Sequence, residues 1–146
     1  MSAIKLIKDA IKTELDTLVV SNVLENVFET DMRQDPLMGD IPNTPCAYIM
    51  PPSTESVVVD NRTLLRTYTF DIMFVVKGEN INTATYIEDL LEIILNKFDN
   101  IPTLSGVADG AVEPATSTPQ PLQHKNGDLV VFFVSLKVNK TVTLTY

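Results

Sequence analysis

Twelve residues, Arg66 to Lys77, alternate between apolar and polar side chains, stop at Gly78 and give way to a helical pattern from about Asn82 to Phe98. A period of two marks a strand with one face on a core, and a period near 3.6 marks an amphipathic helix. Tyr68, Phe70, Ile72, Phe74 and Val76 share one strand face; Thr67, Thr69, Asp71 and Lys77 share the other, with Met73 and Val75 as apolar exceptions. The helix that follows carries Ile87, Leu90, Leu91, Ile94, Leu95 and Phe98 as a broad stripe, with Glu88, Asp89, Glu92 and Lys97 largely opposite. Asn82 or Thr83, or Thr85 with Glu88, can cap its start, and Pro102 prevents its continuation. The stripe is expected to cover the aromatic face of the strand.

The rest of the chain extends this pairing. Ile4, Ile7, Ile11 and Leu15 fall three and four apart, which predicts a helix over 3–16 with Ser2 as its N-cap. Residues 17–28 read as short strand or extended linker. Residues 29–44 hold two prolines, a glycine and several acids, so they read as a long irregular loop. A loop of that length is often functional. Its Met32, Leu37, Met38 and Ile41 must tuck onto the core or meet a partner.

Residues 45–59 read as a first long strand, broken at Pro51-Pro52 because proline cannot donate a ladder hydrogen bond. Asp60-Asn61 suits the turn into the second strand, from about Arg62 to Lys77, so the hairpin tip near 56–62 should project. Residues 105–127, with Pro114, Pro119 and Pro121, read as a broken edge strand or an arm. Asn126-Gly127 is a strong hairpin signal before the β-prone run Leu129–Val138. Residues 141–146 alternate again, extending that strand or adding to a neighbour's sheet edge. The expectation is one α+β domain spanning 1–146: a mostly antiparallel sheet built from two long hairpins, with two helices packed on one face.

The residues offer little chemistry. Cys46 is the single cysteine, so no intramolecular disulfide forms; it lies in an apolar strand pattern and reads as an inert thiol. His124 is the single histidine and reads as a solvated hairpin residue. No zinc spacing, EF-hand loop, phosphate cradle or nucleophile elbow is present. No cofactor, metal or enzymatic activity is expected, and no apolar run is long enough for a membrane span or a signal core. The formal net charge of −8 argues against nonspecific nucleic-acid wrapping. What remains is interaction surface, with Asp31, Arg33, Asp35, Leu37, Met38, Glu55 and Arg62 as candidate contacts.

These patterns resemble the tail terminator (tail completion) proteins of long-tailed bacteriophages. The resemblance rests on Ile4–Leu15, on Pro45-Cys46-Ala47-Tyr48-Ile49-Met50 after a loop, on Tyr68–Val75, on Ile87–Phe98 with Ile101-Pro102, and on Asp128–Val138. The proline-rich segment 114–121 falls outside it. The resemblance implies a structural virion protein, assembled in the host cytoplasm and resident at the tail–neck junction. Such proteins form a homo-oligomeric ring, expected to be a hexamer, on the head-proximal end of the tail tube. The ring stops tube polymerisation and presents a surface to the head–tail connector or stopper, while DNA passes through the lumen without specific binding. Six copies would carry a formal charge of about −48, six times −8, and an acidic lumen would let DNA slide. Two other readings stay open here: another neck or tail component, and a small α+β ligand-binding or enzyme domain.

Overall fold

The computed structural model describes residues 2–30, 36–38, 44–77, 83–101, 103–104, 106–110, 112–124 and 127–144. In chain order these form α1 (Ala3–Val20), β1 (Asn26–Glu29), a single 3-10 turn (Pro36–Met38), β2 (Cys46–Ile49), β3 (Ser53–Val58), β4 (Thr63–Lys77), α2 (Thr83–Asp99), β5 (Glu113–Thr116), β6 (Gln120–His124) and β7 (Gly127–Thr143). The fold is α+β, as the sequence predicts.

The spine is one long antiparallel pair. β4 and β7 run against each other from Thr63↔Thr143 to Lys77↔Leu129 without a break. Each spine strand carries a broken strand on its outer side. β2 pairs with the Ile72–Val75 part of β4, and β3 with its Leu64–Thr69 part. The Met50–Pro52 segment separates them, as the proline pair dictates. On the far side β5 and β6 pair with β7 around Ser117–Pro119. The segment 105–127 thus supplies two edge strands rather than a free arm. Gly127, at φ 112°, carries the left-handed conformation at the β6–β7 turn, which a glycine tolerates without strain.

α1 runs one turn further than its predicted end, to Val20, because Leu18 continues the buried stripe of Ile7, Ile11 and Leu15. Ser2 caps it, its Oγ accepting from the Lys5 amide at 3.1 Å. Asn26–Glu29 form β1 and pair with β2 in parallel; the sequence leaves 17–28 between strand and linker and places Glu29 in the loop. A parallel neighbour cannot be reached through a tight hairpin. Residues 30–45 accordingly separate β1 from β2.

Two cores result. Ile7, Ile11 and Leu15 of α1 and Ile87, Leu90, Ile94 and Phe98 of α2 bury against the face bearing Phe70, Ile72, Phe74, Phe132, Val134 and Leu136. Ala47, Phe74 and Phe132 stand in one row across three strands, the two phenyl rings stacked at 5.1 Å. Both helices therefore lie on one sheet face. The opposite face has its own cluster, in which Cys46, Tyr48, Met73, Val75, Leu129 and Val131 are buried. Met73 and Val75, exceptions to the alternation, are core residues of this second layer. Phe28, Leu37, Met50 and Leu122 pack against it, so Leu37 roofs the face opposite the helices.

Candidate assembly surface

The helix-covered core ends at the Tyr68–Val138 row: both are buried in it, and no residue of 63–67 or 139–143 belongs to it. Beyond that row three strands continue together. β3, the first part of β4 and the last part of β7 make an arm, closed by a bend at 59–62. Val59 and Asp60 amides both donate to the Thr63 carbonyl, at 3.0 and 3.3 Å. The Arg62 amide donates to Asp60 Oδ1 at 2.9 Å, which holds that carboxyl below its usual range. The C-terminal residues are part of the arm: the Leu144 amide donates to the Arg62 carbonyl at 2.6 Å. Through residue 144 the tail extends β7 within its own chain.

Register assigns the arm's two faces, since directly paired residues share a side. Ser56, Arg66 and Lys140 form one row on the side that faces the helix layer, and Val58, Leu64 and Val142 form the next. Arg66 Nε donates to Ser56 Oγ at 3.2 Å, and Lys140 Nζ donates to the Val107 carbonyl at 2.8 Å. The other side carries Glu55, Thr67 and Asn139, with Thr67 Oγ1 donating to Asn139 Oδ1 at 2.8 Å. All six residues of β3 are exposed. Val57, Val58 and Val59 are 55%, 70% and 63% exposed; Val58 with Leu64 and Leu144 puts an apolar patch on one side of the tip, and Val57 faces the other side. Val58, Asp60, Arg62, Leu64 and Leu144 line an open depression there of about 430 Å³.

Of the residues singled out on sequence, Glu55 and Arg62 are exposed on this arm. Asp31, Arg33 and Asp35 lie outside the described residues, and Met38 has its backbone in the 3-10 turn. Leu37 is half-buried and packs on the second core, one of the two fates open to the apolar residues of this loop. His124 is corrected. It is half-buried, and its Nε2 stands 2.8 Å from the Leu37 carbonyl oxygen. A carbonyl can only accept, so Nε2 carries the proton in this contact, which ties the β6–β7 hairpin to the loop over the second core. Sequence reasoning missed Arg66 and Lys140. They pair across the sheet from 74 positions apart in sequence, and the available signal was the run Val57-Val58-Val59 beside them.

Cys46 is fully buried. Burial pushes its thiol up to about 11, against a smaller opposing effect from a hydrogen bond with Tyr48. Tyr48 is also raised, by burial and then by Cys46. Both groups favour the neutral form in the fold, so their contribution to stability is fully present below their unfolded values. For the thiol it is lost as pH rises from about 8.5, its ordinary value, through about 11. A thiol reagent at pH 8 should leave the native protein unmodified and label Cys46 fully once it is unfolded. Denaturant melts should show stability falling steadily above about pH 8.5. Fast native labelling would contradict the burial.

Among the described residues no group of three or more His, Cys, Asp or Glu could hold a metal ion. No described helix is long and apolar enough to cross a membrane. In comparisons with known proteins, no family model matches the chain and no curated protein matches it significantly.

Proposed function

We propose that this chain is a tail terminator: a ring-forming virion protein that caps the head-proximal end of a phage tail tube. The observation that carries this reading is the arm. Three strands leave the core with an apolar tip and an edge strand exposed along its whole length. Such a structure buries little of its own surface and leaves an open sheet edge, a combination suited to coverage by other protein chains. The segments on which the resemblance rests fold as α1, β2, β4, α2 and β7, with both helices over one face of the sheet. In this reading one side of the ring mimics the next tube layer and the other refuses further tube subunits. The ring would be a hexamer, bound to tube protein below and to a connector or stopper above. Its lumen would be acidic, and a basic lumen lining in an assembled ring would contradict that part.

The test is electron microscopy of particles assembled without the chain. Overlong, headless tubes support termination. Tails of normal length that fail to join heads would move the chain to a neck role. Intact infectious particles would discard an assembly role.

A further inference from the structure

We infer that the arm of one copy docks along the outer face of α2 in a second copy. This rests on the ring reading and names the surfaces that would build it. The two surfaces are opposite in charge. Arg66 and Lys140 point to the helix side of the arm and Arg62 stands at its bend, while register places no acid on that side between Thr54 and Val58 or between Leu64 and Tyr68. Three acids stand nearby: Asp60 and Asp109 keep their charge but turn to the backbone amides of Arg62 and Thr141, and Glu55 lies on the opposite side of the arm. On α2, Glu88, Asp89, Glu92 and Asp99 are all exposed. The helix's one cation, Lys97, turns away to Glu14 at 3.4 Å. A chain of net charge −8 therefore gathers cations on its arm and leaves a helix face with acids alone.

Apolar groups match as well. Tyr86 and Ile93, 39% and 40% exposed, flank the acids on α2, and Val58 and Leu64 flank the cations on the arm. Lengths agree: six arm residues from Thr63 to Tyr68 span roughly 20 Å at about 3.3 Å each. The 17 residues of α2 span roughly 25 Å at 1.5 Å each. The other edges suit the contact less. β5 and β6 carry Pro114 and Pro121, and β1 has four residues, both recognised forms of edge protection. The contact joins two different surfaces, so it is heterologous, and it closes into a ring when the rotation permits.

Two double variants test it. Arg62→Glu with Arg66→Glu makes the arm acidic; Asp89→Lys with Glu92→Lys makes the helix basic. Sedimentation is followed over a concentration series, with thermal melts to confirm folding. Each variant alone would bring like charges together and should weaken self-association at least about 100-fold. An equimolar mixture should reassemble, because each altered surface then meets its complement on the other variant, and that rescue cannot come from misfolded chains. Variants that associate as well as the parent would overturn the docking and leave the ring reading standing. Single variants that weaken but show no rescue on mixing would also overturn it. A parent chain that stays monomeric up to hundreds of micromolar would overturn both.

Discussion

Replacing Phe132 by alanine should remove about 3–5 kcal/mol of stability, a large share of the roughly 5–15 kcal/mol that holds a domain of this kind together. Phe132 is fully buried, stacks on Phe74 and sits in the row where both spine strands meet the helices. Its removal leaves a cavity among Ile, Leu and Phe side chains that are themselves held by two helices, so collapse around it is limited. The neighbouring Phe133 is the internal control. It points to the other face and is 37% exposed, so Phe133→Ala should cost less than half as much. Urea titrations of both variants check this, and similar losses for the two would contradict the assigned strand register.

Shortening the arm should separate folding from assembly. Ser56 and Arg66 are directly paired, so replacing residues 57–65 with Asn-Gly would close the hairpin at that row through a two-residue turn. The deleted part of β3 is exposed and none of the deleted residues belongs to either core. The loss of stability should therefore stay within about 1–2 kcal/mol. Self-association and tube capping, in contrast, should disappear. A shortened chain that still assembles would remove the arm from the account, and one that fails to fold would show that the arm is part of the core.

How far the sequence disclosed this molecule follows from the range of its signals. The helix stripes and the β4 alternation are local, and they located both helices and the spine strand within a few residues. Pro51-Pro52 marked the β2–β3 break because a missing amide is a local fact. The second core was hidden, since Met73 and Val75 look like defects in an alternating pattern until Leu37 and Leu122 arrive from distant segments. His124 read as solvated for the same reason: the Leu37 carbonyl that engages it is 87 positions away. The cationic row of Arg66 and Lys140 required the β4–β7 register, which no periodicity states.

The most direct measurement of the central claim is tube length. Purified chain would be added to tail tubes growing from their own subunits, and the lengths read by electron microscopy. The account predicts that growth stops, with the chain found as a ring at one end only. Tubes that keep growing at the same rate, with no chain at either end, would contradict it.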